Sequence, residues 1–290
     1  MKIKRISQNK NQLGEGPWWN NKTNNLHWTD IIEGKLYTYD PSTKHETFKK
    51  FNGKLGCFAP CKNGTFLVGL DLSFFIYDPK TGKKTKFLDL EGEPPENRIN
   101  DGTTDPYGRF WVGTMTAEGH SKKQTGSLYC ISPNRKVQKY LSQIYTSNGL
   151  AFNQSGTKMY FADTGKNVQT IWEFDYELKN GIPKNKKIFA KTNNFKGRPD
   201  GATVDIDGFY WVAGVEGYEL YRFNKKTNIS LLFVFLKILG QFLVILYHRL
   251  RLRKLEAFYK QILNQLLLSM SLLKIGMSLQ LVQKLLVSGS

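Results

Sequence analysis

A turn followed by a short apolar run recurs five times between Asn24 and Ala213, and this repeat constrains the fold more than any other feature of the chain. The runs are His27-Trp28-Thr29-Asp30, Thr65-Phe66-Leu67-Val68-Gly69, Arg109-Phe110-Trp111-Val112-Gly113, Lys158-Met159-Tyr160-Phe161-Ala162 and Phe209-Tyr210-Trp211-Val212-Ala213. Four follow the pairs Asn63-Gly64, Tyr107-Gly108, Ser155-Gly156 and Asp207-Gly208, and the first follows Asn24-Asn25. Glycine or asparagine there accepts the positive φ of a two-residue hairpin. A second aromatic strand comes after each run, as in Lys35-Leu36-Tyr37-Thr38-Tyr39 and Glu219-Leu220-Tyr221-Arg222-Phe223. The turn glycines step by 44, 48 and 52 residues. A period near 40–50 residues with about four strands per unit signals propeller blades, each of which needs neighbours to cover its faces. The chain is therefore expected to be all-β, of propeller type, with five recognisable blades. Stretches such as Gly149-Leu150-Ala151-Phe152 and Ala202-Thr203-Val204-Asp205 fit the innermost strands.

Four segments sit at the start of those innermost strands: Gly14-Glu15-Gly16-Pro17-Trp18-Trp19, Asn97-Arg98-Ile99-Asn100-Asp101-Gly102, Ser147-Asn148-Gly149-Leu150 and Arg198-Pro199-Asp200-Gly201. Innermost strands line the central channel of a propeller, so these positions are equivalent although far apart in sequence. Glu15, Arg98, Asn100, Asp101, Asn148 and Asp200 are thus expected at one mouth. Carboxylates with a carboxamide form an all-oxygen set suited to a hard cation such as Ca²⁺, Mg²⁺ or Mn²⁺. Asp-Gly and Asn-Gly are also ordinary turn pairs. Glu15 is not in such a pair, however, and Arg98 has no turn role.

Together with Gly113-Thr114-Met115, these segments resemble the motifs of the regucalcin/gluconolactonase/luciferin-regenerating-enzyme (senescence marker protein) family, in order, from about Leu13 to Phe223. The resemblance implies a six-bladed β-propeller that binds one divalent cation (Ca²⁺, Zn²⁺, Mn²⁺ or Mg²⁺) and hydrolyses sugar lactones to aldonic acids. It assigns Glu15, Asn148 and Asp200 as metal ligands, and Arg98 and Asn100 as contacts to the lactone. Glu118, in the looser match Ala117-Glu118-Gly119-His120, would help hold substrate. Asp200, beside the metal, would serve as general base toward the attacking water. The alternatives are a calcium-binding or regulatory propeller without turnover, or a product left inactive because the sixth blade is lost. No G-x-S-x-G nucleophile elbow is present, and the four histidines show no ligand spacing, His27 lying within a strand.

The composition changes near Ile229. All ten prolines, all six tryptophans and every aspartate precede it, whereas residues 229–290 hold 19 leucines in 62 positions. The chain is expected to divide into a lactonase-like propeller domain, 1–228, and an atypical basic, Leu-rich tail, 229–290. In that tail an apolar and helical segment would replace the sixth blade. A shifted reading frame, a membrane-anchoring helix over 231–247 with its basic flank or a helical cap would each produce such a tail. A five-blade ring left open would expose strand edges and tend to aggregate. The tail carries +7 of the net charge of +18. Most other lysines fall in turns, which does not make the clustered basic face a nucleic acid requires. Three cysteines without a matching ligand pair argue against a zinc-knuckle site. With no apolar leader in Met1–Gly16, the cytoplasm is the expected compartment.

Overall fold

The computed structural model describes residues 6–7, 9–118 and 123–224 in full, and the backbone of Ile229–Ile238 and Gln241–His248. Every regular element among them is a strand. Blade one comprises β1 (Gly14–Asn20), β2 (Asn25–Asp30), β3 (Lys35–Asp40) and β4 (His45–Lys50). Blade two holds β5 (Leu55–Pro60), β6 (Phe66–Leu70), β7 (Ser73–Tyr77) and β8 (Lys84–Asp89). Blade three holds β9 (Asn97–Thr104), β10 (Phe110–Thr116), β11 (Gly126–Ile131) and β12 (Val137–Ile144). In blade four are β13 (Ser147–Phe152), β14 (Lys158–Asp163), β15 (Thr170–Glu177) and β16 (Ile182–Lys191). The fifth sheet runs β17 (Arg198–Val204), β18 (Tyr210–Val215), β19 (Glu219–Phe223), β20 (Ile229–Ile238) and β21 (Gln241–His248). Within each sheet the strands follow sequence order. The first strands of the five blades neighbour one another in the order β1, β5, β9, β13, β17, as the lining of a propeller hub should.

The turns that set the repeat work through side-chain oxygens. Asp105 Oδ1 accepts from the amides of Tyr107 and Arg109 at 2.9 and 3.0 Å, which closes the turn into β10. Asp205 accepts from the Phe209 amide at 2.9 Å in the equivalent turn into β18. Asn153 does the same into β14, taking the amides of Thr157 and Lys158. An acceptor at the first turn position offers the backbone a local partner and fixes where the next strand begins.

The core lies between blades. Leu36, Leu55, Phe66 and Val68 pack blades one and two together. Phe74, Ile99, Phe110 and Val112 join two to three, and Trp111, Leu128, Leu150, Met159 and Phe161 join three to four. Between four and five, Tyr160 and Phe189 meet the ring of Tyr210 at 4.9 and 5.7 Å. Trp111 is fully buried, and its indole N–H donates to Tyr176 Oη at 3.0 Å. Replacing such a side chain with alanine costs about 3–5 kcal/mol.

The segment after Phe223 departs from the sequence expectation. The sequence predicts an apolar helix there, but Ile229–Ile238 pairs antiparallel with β19, and Gln241–His248 lies beyond it in the same sheet. The apolar run is uniform, so it carries no helical period, and it is rich in Ile, Val, Phe and Tyr, which fit a pleated sheet. The open edge of β19 supplies the template. No described helix is long and apolar enough to cross a membrane. Met1–Leu246 groups as one compact unit. Residues 249–290, where the expected helical tail continues, lie outside the described residues.

Candidate functional site

The residues expected at one mouth stand within the innermost strands rather than ahead of them, and each of the four strands carries a bulge beside them. In β1, Gly16 and Pro17 together face one residue of β2, because Glu15 pairs with Thr29 and Trp18 with His27. In β9, Asn100 and Asp101 together face Gly113. Gly149 and Leu150 of β13 face Phe161, and Asp200 and Gly201 of β17 face Ala213. A bulge rotates the strand locally and re-aims the adjoining side chains. Gly16 and Gly149 take φ of +58° and +66°, the left-handed region that glycine enters without strain. The same device at the same height in four blades brings their polar side chains to one level of the channel.

Carboxylates pin the segment ahead of three of the inner strands, β1, β5 and β13. Asp30, the last residue of β2, accepts from the amides of Gln12 and Leu13 at 2.8 and 3.2 Å. Asp71 takes the amide of Lys54 at 3.0 Å, and Asp163 takes those of Tyr145 and Thr146, each at 3.0 Å. Ahead of β9 the task falls to Glu93, which accepts from Asn97 Nδ2 and Thr114 Oγ1 at 2.8 and 2.7 Å. Gly113 matters for a different reason. A Cβ there would lie 1.6 Å from Ser147 Oγ, so only glycine lets β13 approach β10 at the level of Asn148.

At the hub, Arg98 is 4% exposed and donates through Nη1 to Ile99 O at 2.9 Å and to Asn100 Oδ1 at 2.8 Å. Its Nε has no hydrogen-bond partner among the described residues. Asn100 Nδ2 reaches across to blade four, donating to Ser147 O at 2.9 Å and to Asn148 Oδ1 at 3.3 Å. The Asn148 side chain and the Gly201 amide lie beside Asp200 and favour its charged form. Glu15, Asp101 and Asp200 lie close enough to act on one another electrostatically. Burial, then the charges of Asp200 and Asp101, push the Glu15 carboxyl far above its ordinary range. Burial and the charge of Asp200 raise Asp101 to about 7, while burial alone raises Asp200. Burial also lowers Arg98 to about 10, partly offset by Glu15.

Glu15, Arg98, Asn100, Asp101, Asn148 and Asp200 are therefore brought together from blades one, three, four and five. Glu118 is exposed on the turn after β10, and residues 119–122 beyond it lie outside the described residues. Asp101, counted at the mouth but given no role by the resemblance, is a third carboxylate of the cluster. Thr164 and Arg198 were missed. Thr164 accepts from Asn148, and Arg198 donates to Thr164 O at 2.8 Å and pairs with Glu216 at 2.7 Å. Arg198 stands beside the Pro199-Asp200-Gly201 motif, but no sequence signal marks Thr164.

The donor chemistry suits a hard divalent cation. Like charges forced together in a buried channel favour either protons or a cation among them. No described group of three or more His, Cys, Asp and Glu side chains forms a ready metal cluster. The set Glu15, Asn148 and Asp200 is different in kind, since one of its donors is a carboxamide.

The sequence matches the SMP-30/gluconolactonase/LRE-like region over residues 13–230. A 6-deoxy-6-sulfogluconolactonase of Pseudomonas putida is 29% identical over 227 residues, 78% of this chain and 77% of that protein. The solved luciferin-regenerating enzyme superposes with a TM-score of 0.72 at 28% identity, over 79% of this chain and 85% of that one. A calcium-binding protein, regucalcin of Agrobacterium tumefaciens, also gives 0.72, at 27% identity over 77% and 75% of the two chains. The bulged inner strands and the match across all five blades agree, and the chain belongs to the SMP-30/gluconolactonase/LRE-like family, which includes sugar-lactone hydrolases.

Proposed function

We propose that this protein hydrolyses sugar lactones to aldonic acids, using one divalent cation held by Glu15, Asn148 and Asp200. The observation that carries this reading is the convergence of three mutually repelling carboxylates, two carboxamides and one buried guanidinium at a single level of the hub. When bound, the cation would supply Lewis-acid polarisation of the lactone carbonyl. The rest of the chemistry falls to side chains. Asp200 takes a proton from the attacking water as the water oxygen bonds to the carbonyl carbon. The ring C–O bond then breaks, and the departing oxygen recovers that proton as the hydroxyl of the product acid. Arg98 and Asn100 face the same space, and Arg98 offers a fixed fork of donors to the sugar oxygens. Glu118, exposed on the turn after β10, is assigned to the substrate on the resemblance alone.

Steady-state hydrolysis of gluconolactone tests the roles. Asp200→Ala should lower kcat by about 100-fold or more, as loss of a general base does. Arg98→Ala should act mainly on KM, raising it about 10-fold, the effect of losing a charge-assisted hydrogen bond. Turnover by Asp200→Ala equal to that of the parent chain would refute the assignment. A cation-binding propeller without turnover is the second reading, favoured by the calcium-binding relative. Cation-dependent stabilisation with no lactone hydrolysis would select it.

A further inference from the structure

Thr164 follows β14 and has no exposed surface. Its hydroxyl lies between blades four and five. Asn148 Nδ2 donates to Thr164 Oγ1 at 2.8 Å, and Thr164 Oγ1 donates to Pro199 O at 2.6 Å. Counting protons fixes the direction of both bonds. The Pro199 carbonyl can only accept, and a hydroxyl has one proton, so that proton goes to Pro199. Thr164 Oγ1 then has only lone pairs to offer Asn148. Asn148 must turn its amino end toward Thr164, and its Oδ1 is left facing the channel, where Asn100 Nδ2 meets it at 3.3 Å. The carbonyl oxygen, and not the amide nitrogen, is the atom that ligates a hard cation. The same hydroxyl grips the residue next to Asp200, and Thr164 O is held from that strand by Arg198 Nη1 at 2.8 Å.

We propose that Thr164 is a positioning residue for the cation site: its hydroxyl holds the Asn148 carboxamide with oxygen toward the channel and ties it to the strand bearing Asp200. This rests on reading Asn148 and Asp200 as ligands. The test is calorimetric titration of Ca²⁺ alone into the full chain and its variants. Thr164→Val should weaken binding by about 10–100-fold, the usual effect of losing a hydrogen bond behind a ligand. Thr164→Ser should stay within about 2-fold of the parent chain. A carboxylate presents oxygen whichever way it turns, so in an Asn148→Asp background the Thr164→Val effect should shrink to about 2-fold. A merely structural role would weaken binding equally in both backgrounds, and that result overturns the proposal. So does Thr164→Val binding like the parent while Asn148→Ala loses the cation. If the parent chain itself fails to bind, the cation reading falls and takes this proposal with it. Should Thr164→Val not fold, Thr164→Ala removes the same hydroxyl without placing a methyl against the Pro199 carbonyl.

Discussion

Arg98 keeps a buried guanidinium at the hub, with Nη1 committed to Ile99 O and Asn100 and Nε without a hydrogen-bond partner among the described residues. Lysine keeps the charge but not the planar fork, so Arg98→Lys should raise KM for gluconolactone nearly as much as Arg98→Ala does. A KM unchanged in the lysine variant would show that charge alone suffices. His27 gives a second expectation at this scale. It is buried between Trp18 and Phe66, with Nδ1 against Thr38 Oγ1 at 3.0 Å, and burial lowers its pKa. A depressed histidine supports the fold above the free value of about 6.5, and that support is lost as pH falls toward the folded value. Melting temperature should therefore drop on acidification below about 6.5, and His27→Gln should flatten that part of the profile. Glu15, Arg98, Asn148 and Asp200 could be picked out in the sequence because each stands in a short motif at the start of a repeat. Thr164 could not, because its partner carbonyl at Pro199 is 35 residues away and its role exists only where two blades meet.

Bulges at one height in four inner strands explain why glycine follows Glu15, Asp101, Asn148 and Asp200. Asp101-Gly102, Asn148-Gly149 and Asp200-Gly201 look like turn pairs in sequence, yet each lies inside a strand. A pair of residues does not reveal whether it reverses the chain or only kinks it; the register of the neighbouring strand decides. Gly149 shows what the bulge demands. Its φ is +66°, and an added Cβ would meet Ala162 Cβ at 2.6 Å and Tyr210 Oη at 2.7 Å. Gly149→Ala should destabilise the fold by more than the ~1–2 kcal/mol of left-handed strain alone, and should weaken cation binding together with melting temperature. A variant as stable as the parent would mean that the bulge relaxes. The turns, the five runs and their order follow from local chemistry and were legible. The strands after Phe223 were not, because a uniformly apolar stretch carries no period and its pairing is set by the edge it finds.

Five blades share one hub, and its clustered polar side chains come from four of them, so the site depends on the whole ring staying in register. β20 gives blade five a fourth strand by pairing along β19 from Glu219 to Phe223. A chain ending at Asn224 should expose the β19 edge, melt at lower temperature and aggregate on heating; equal melting with and without residues 225–290 would show that the added strands contribute nothing. The propeller class was readable at this scale because a blade repeat leaves its period in the turns. The meeting of Glu15 with Asp200, 185 positions apart, follows from blade geometry and not from any local pattern. Chelation of the full chain addresses that meeting most directly. Gluconolactone hydrolysis should fall by about 100-fold or more when the cation is stripped, in keeping with the several kcal/mol a Lewis acid supplies, and should return when Ca²⁺ or Mn²⁺ is added. Turnover that persists unchanged in excess chelator would contradict a hub built around one ion.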